Sequence, residues 1–238
     1  MASLALKALT IPALTKHSAT VIFVHGLGDT GLGWQPFADD AHQDPALKHI
    51  KWILPHAPVK AVTANMGMKM PAWFDITSFD FDEDDETGML QTVKSLNQLI
   101  TTEVEAGIDP RRIVLGGFSM GGAMTLLTGL SIKEQLGGLI VLSGWLPLRN
   151  KLKSMLSSHA KDVPIFWGHG ADDPLVQLRW GKLSKDVLTS SEIGIPEASS
   201  PSEGKGLSFN VYPGLQHSAS DRELDDAKTW LKKVLPGN

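Results

Sequence analysis

Three side chains in this 238-residue sequence have the types and the chain order for nucleophilic chemistry: Ser119, an aspartate at 172 or 173, and His217. Ser119 lies in Gly117-Phe118-Ser119-Met120-Gly121, a G-x-S-x-G pattern that marks a serine on a sharp turn between a strand and a helix. Its flanks supply that context, because 112–116 reads as a buried strand and 123–127 as an apolar helical turn. So sharp a turn strains the serine's backbone and presses its flanks together, which leaves little room for side chains at Gly117 and Gly121. The hydroxyl then projects at a helix N-terminus, where the dipole and backbone N–H groups favour negative charge.

A serine nucleophile needs a base, and the base needs an orienting carboxylate, in the order Ser, Asp, His for this kind of turn. His169-Gly-Ala-Asp172-Asp173-Pro-Leu-Val176 follows the apolar run 164–167, and His217 follows the run 207–212, so each group tops a strand. The spacing Gly170-x-x-Asp173-x-x-Val176 favours Asp173, with Asp172 as the alternative. His25, His56 and His169 also lie near strand ends, but only His217 follows both serine and acid and leads into the last helix.

A second glycine motif, Gly26-Leu-Gly28-Asp-Thr-Gly31, follows the run Val21–Val24 and fits G-x-G-x-x-G, the turn that cradles a dinucleotide pyrophosphate. The fit is poor, because the next strand, 51–54, runs into Pro55-His56-Ala57-Pro58 with no carboxylate for a ribose, and Trp34 and Pro36 disturb the expected helix start. The turn suits an oxyanion hole better, with one N–H from the loop 25–28 and a second from Met120. A dinucleotide-binding oxidoreductase is kept as the remote alternative.

These groups need a scaffold, and the pattern supplies one. Short Val, Ile, Leu and Phe runs at 20–25, 51–54, 112–116, 139–142, 164–167 and 207–212 alternate with helical periodicity, which predicts an α/β class with a mostly parallel sheet and the site at its carboxyl ends. Met89, Val93, Leu96, Ile100 and Val104 line one face of a helix, and a last helix runs from about 220 to 235. One domain over 1–238 is expected, the segment 190–206 reads as a surface loop, and the acidic stretch 80–86 as a solvated loop and first helical turn. The formal charge of −4, with 22 basic and 26 acidic residues, argues against nucleic-acid binding. With no cysteine, disulfides, thiolate metal sites and S-acylation of the chain itself are excluded. Without a signal-peptide pattern or a membrane-spanning run, the expected location is the cytoplasm, with the nucleus as a second compartment.

Together these motifs resemble the acyl-protein thioesterases and lysophospholipases of the α/β-hydrolase superfamily. The likeness extends through Val21–Gly31, Pro55–Val59, Met70–Ile76, Gly116–Ala123, Leu142–Leu148, His169–Val176 and the His217 turn. It implies an α/β-hydrolase fold with helices on both faces of the sheet, a Ser119, Asp173 and His217 triad, and backbone oxyanion donors at Leu27 and Met120. It also implies an acyl channel near Leu27, Trp73, Phe74, Ile76, Trp145, Leu175 and Val176, with no metal or cofactor. The implied substrates are S-acylated proteins or lysolipids, and any membrane visit is expected to be peripheral. A broad small-molecule carboxylesterase and a non-catalytic binding protein are the other readings, while the oligomeric state is left open. One departure concerns the residue after the nucleophile, usually Gln in this family and Met120 here.

Overall fold

Strand residues of alternate parity divide between two apolar clusters, and this division builds the architecture. Ile22, Val24, Leu115, Val141 and Trp167 face one cluster, whereas Val21, Phe23, Val114, Ile140 and Phe166 face the other. A strand turns successive side chains to opposite faces, so runs apolar at every position need cover on both sides. The computed structural model describes residues 6–78, 80, 83–200 and 203–237. Its strands are β1 (Ala8–Ile11), β2 (Ala19–Val24), β3 (Ile50–Pro55), β4 (Val59–Val62), β5 (Met68–Pro71), β6 (Ile113–Phe118), β7 (Gly138–Leu142), β8 (Ile165–Gly170) and β9 (Leu207–Tyr212). Its helices are α1 (Gln35–Ala41), α2 (Glu86–Glu105), α3 (Met120–Ser131), α4 (Leu152–Met155), α5 (Leu178–Thr189) and α6 (Asp221–Val234).

The main sheet has the order β1-β3-β2-β6-β7-β8-β9, parallel except for β1, and β4 and β5 form a separate hairpin. From β2 to β3 the chain moves one way across the sheet; from β3 onward it moves the other way. Crossovers of one hand then put their helices on opposite faces. Buried residues of α2, α3, α4 and α5 join the first cluster, and those of α1 and α6 join the second. The reversal lies between β2 and β6, and the crevice outside their carboxyl ends is where open sheets of this kind bind ligands.

Six of the seven main-sheet strands coincide with the apolar runs, and 207–212 coincides to the residue. β1 is four half-exposed residues, too short to show a period. Helix α1 forms despite Pro36, which sits in its first turn, where a missing N–H costs nothing. In the acidic stretch, Asp85 caps α2 by accepting the Gly88 N–H, and Glu86 lies in the first turn; Phe81 and Asp82 lie outside the described residues, as do residues 1–5 of the amino-terminal segment. Among the described residues, no helix is long and apolar enough to cross a membrane.

Candidate active site

Ser119 follows β6 and caps α3 at φ 54° and ψ −120°, a backbone conformation that a non-glycine residue holds only when its surroundings enforce it. The enforcement is visible in its flanks. A Cβ on Gly121 would meet the Val24 carbonyl oxygen at 2.0 Å, and one on Gly117 would meet the Gly121 backbone at 2.4 Å. The two glycines therefore let α3 press onto the ends of β2 and β6, while the Ser119 N–H donates to Leu142 O at 2.8 Å.

Across the crevice, His217 Nε2 lies 3.0 Å from Ser119 Oγ, and His217 Nδ1 lies 2.7 Å from Asp173 Oδ2. A carboxylate only accepts, so Nδ1 carries the proton toward Asp173 and Nε2 is left to accept from the serine. Asp173 is buried, and its Oδ1 accepts the N–H groups of Leu175 and Val176, each at 2.9 Å. Asp172 is exposed and turned away, and its Oδ2 accepts the Gly214 N–H at 2.9 Å. It ties the acid turn to the loop that carries His217, and its backbone N–H bonds Leu215 O at 3.0 Å in the same seam.

Two buried histidines serve these turns as neutral struts. The His25 ring accepts the Ala57 N–H at Nε2, 3.0 Å, and so donates from Nδ1 to Gly26 O at 2.7 Å, bracing the loop after β2. His169 Nε2 is 2.8 Å from Val176 O and holds the turn whose N–H groups reach Asp173. Burial pushes both imidazoles below their usual range. Their positions at strand ends were legible in the sequence, but their partners were not.

Leu27, Ile76, Trp145, Leu175 and Val176 line a cavity of about 720 Å³ that also takes in Ser119 and His217. Trp73 and Phe74 do not line it, contrary to the sequence expectation. Both are buried behind the wall, where the Trp73 indole N–H donates to His25 O at 2.8 Å and the Phe74 ring meets Trp145 edge-on at 6.2 Å. Met120 is also buried, and its sulfur accepts the Trp73 N–H at 3.3 Å. The sequence reading missed another part of the lining, Trp34, Pro36, Phe37, Phe118, Ala219 and Leu224, because these residues read locally as ordinary core or surface.

Met120 opens α3, and the first N–H groups of a helix have no intrahelical partner. In the facing loop, Gly28 N–H bonds Pro71 O and Asp29 N–H bonds Gly26 O, with Leu27 just before them. Gly26 lies against the elbow, where a Cβ would come within 3.5 Å of Ser119 Cβ, and a Cβ on Gly31 would strike the Leu54 carbonyl oxygen of β3. Of the second glycine motif, Gly26 thus packs beside Ser119 and Gly31 against β3, while Gly28 takes a left-handed φ of 79° in open space.

One buried acid lies under this assembly. Glu223, in the first turn of α6, is fully buried, and neither carboxyl oxygen has a hydrogen-bond partner among the described residues. Burial, opposed by the nearby Ser220 backbone and reinforced by Asp226 and Asp173, pushes its pKa up to about 8. The folded chain therefore holds a proton that the unfolded chain releases near the ordinary value of 4.5, so stability falls as pH rises from about 4.5 to about 8. Each such pH unit is worth at most about 1.4 kcal/mol. Glu223→Gln is expected to match the parent's Tm at pH 4.5 and to exceed it by about 5 °C or more at pH 8. Thermal unfolding at the two pH values checks this, and equal Tm values at pH 8 would show that Glu223 carries no such penalty.

The strand order, the serine elbow at the switch point and helices on both faces define an α/β-hydrolase fold. The sequence model of the phospholipase/carboxylesterase family matches residues 7–235, and the chain belongs to that family. It is 46% identical over 235 residues to acyl-protein thioesterase 1 of Cryptococcus neoformans var. neoformans serotype D, covering 97% of this chain and 98% of that protein. Among solved structures, Arabidopsis thaliana SOBER1 superposes with a TM-score of 0.83 at 34% identity, covering 92% of this chain and 99% of that one. Zea mays acyl-protein thioesterase 2 superposes with a TM-score of 0.82 at 29% identity, covering 96% and 99%.

Proposed function

We propose that this chain, acting as one hydrolase domain over 1–238, removes long-chain S-acyl groups from protein cysteines, and cleaves lysophospholipid esters, with Ser119, His217 and Asp173 as its triad. The observation that carries this reading is the hydrogen-bonded line from Ser119 through His217 to Asp173, set in a largely apolar cavity. The thioesterases among its relatives support the substrate class.

In this mechanism Ser119 Oγ attacks the thioester carbonyl as His217 Nε2 takes its proton, and Asp173 stabilises the imidazolium. The N–H groups of Leu27 and Met120 receive the oxyanion. The C–S bond then breaks, the sulfur leaves with the proton from His217, and the acyl group stays on Ser119. Water, deprotonated by His217, attacks the acyl-enzyme, and the fatty acid departs as Ser119 recovers its proton. Because Met120 contributes its backbone, a sulfur where the family usually has an amide leaves this step intact, and that sulfur accepts the Trp73 backbone N–H.

The acyl chain lies against Leu27, Ile76, Trp145, Leu175 and Val176, with Phe74 and Trp73 stiffening the wall behind them. Each buried methylene contributes about 0.8 kcal/mol, so kcat/KM should rise by at least about tenfold from C4 to C12 acyl thioesters measured below their micellar concentrations. Matched amides should be cleaved barely, since an amine must be protonated to leave whereas a thiolate, with a reference pKa of about 8.5, departs readily. A C4 preference would favour a small-molecule carboxylesterase, and fast amide cleavage would overturn the thioesterase reading.

Peripheral membrane contact and a cytoplasmic and nuclear location belong to the same reading. The β4–β5 hairpin offers the contact: Met66 is 89% exposed and Met68 53%, exposed Lys69 follows them, and Asn65 of the same hairpin lines the cavity. Fractionation of cells expressing the tagged full chain should find it in cytosolic and nuclear fractions, with a salt-sensitive membrane share that Met66→Ser reduces. An unchanged membrane share would remove the hairpin from this role.

A further inference from the structure

The cavity is walled from both faces of the sheet. Ile76, Trp145 and Val176 belong to the first apolar cluster, with Leu27 packed against it, and these form the acyl limb of the preceding subsection. Trp34 and Phe37 belong to the second cluster, with Phe118, Ala219 and Leu224 packed against it, and all five also line the cavity. Ser119 and His217 are shared by both sets. The second set lines the side of the same cavity that α1 and α6 cover, and the exposed residues Gly33, Pro36 and Ser218 also line that cavity.

Chemistry decides which part of a substrate meets which limb. In the reaction proposed above, the departing sulfur takes up the proton that His217 holds, so that sulfur leaves within reach of Nε2. The groups around His217 belong to the second limb. The Phe118 ring lies 4.8 Å from the imidazole, Trp34 packs on Phe118 at 5.5 Å, Ala219 follows two residues on, and Leu224 lies in the adjoining first turns of α6. Charge narrows the occupant further. Among the described lining residues Asp29 is the one carboxylate, and no Lys or Arg joins it, so a glutamate beside the acylated cysteine meets repulsion with no cation to offset it.

We propose that the limb formed by Trp34, Phe37, Phe118, Ala219 and Leu224 receives the leaving-group side of the substrate and selects acylated cysteines flanked by apolar residues. The inference rests on the thioesterase reading and adds a second specificity determinant to it. The acyl limb reads the fatty chain, and this limb reads the peptide that carries the cysteine. An apolar side chain beside the cysteine leaves water against Trp34 and Leu224, and burying even part of a leucine there is worth about tenfold in kcat/KM.

The test uses the full chain and S-octanoyl peptides identical except for the two residues flanking the cysteine, which are Leu, Gly or Glu. Leu-flanked peptide is expected to exceed Gly-flanked peptide by about tenfold in kcat/KM, with Glu-flanked peptide slowest. Leu224→Ala should bring the Leu-to-Gly ratio toward one, whatever it does to either rate. Asp29→Asn should raise the Glu-flanked rate relative to the Gly-flanked rate. If all three peptides are cleaved equally, or if Leu224→Ala and Phe37→Ala both keep the parent's ratio, the limb proposal is overturned and the thioesterase reading stands. If no peptide thioester is cleaved while short esters are, the thioesterase reading fails, and the proposal fails with it.

Discussion

Ser119→Ala is expected to lower kcat on any acyl substrate by about 10⁴- to 10⁶-fold, and to abolish covalent labelling by a fluorophosphonate. The size follows from the geometry. Without Oγ, His217 has no hydroxyl to activate 3.0 Å away, and only the proposed oxyanion donors and the cavity remain to help water attack. Alanine meets the same strain at φ 54°, so the fold should survive and the loss should be chemical. Peptide mapping of the labelled parent protein identifies the modified residue. Ser143 is the informative competitor, because it also has a positive φ, of 48°, and is buried at the end of β7 with its hydroxyl unpartnered among the described residues. A label on Ser143, or normal turnover by Ser119→Ala, would overturn the elbow assignment.

Asp173→Asn is expected to lower kcat by about 10³- to 10⁴-fold, whereas Asp172→Asn should cost less than about tenfold. An amide at 173 can keep its carbonyl oxygen on the Leu175 and Val176 N–H groups, but it then turns its NH₂ toward His217 Nδ1. The ring must take the opposite tautomer, with the proton on Nε2 facing Ser119, and it can no longer accept from the serine. An amide at 172 still offers an oxygen to Gly214 N–H. Because the charge of Asp172 points away from His217, its removal leaves the imidazolium supported. Comparing folded variants on one thioester substrate settles the ranking, and a reversed order would move the acid to Asp172.

Much of this site was fixed by local chemistry, and for that reason the sequence alone determined it. Gly117 and Gly121 flank Ser119 because a sharp strand-to-helix turn excludes Cβ atoms at both positions, a constraint felt within five residues. The runs of β2, β6 and β7 are free of charged side chains and buried at nearly every position because central parallel strands are covered on both faces, and the 3.6-residue period of α2 follows from burying a single face. The chain order of serine, acid and histidine, each after a strand, was likewise legible along one dimension, as was the motif set that ties the chain to its family.

The tertiary structure decided what depends on direction and on distances between loops. Asp172 and Asp173 are neighbours of identical chemistry, and what separates them is the loop after β9, which offers a backbone N–H to one and His217 to the other across more than forty residues. Trp73 and Phe74 carry the same apolar character as Ile76, yet the hydrogen bond from the Trp73 indole to His25 O and the contact of Phe74 with Trp145 turn both behind the wall. Trp34, Phe118 and Leu224 reach one limb of one cavity only because the sheet sets β2 beside β6 and because α1 and α6 cover the same face. A sequence pattern encodes which face of an element is apolar. Which elements stand side by side is set by strand order and register, and that is where the walls of this cavity come from.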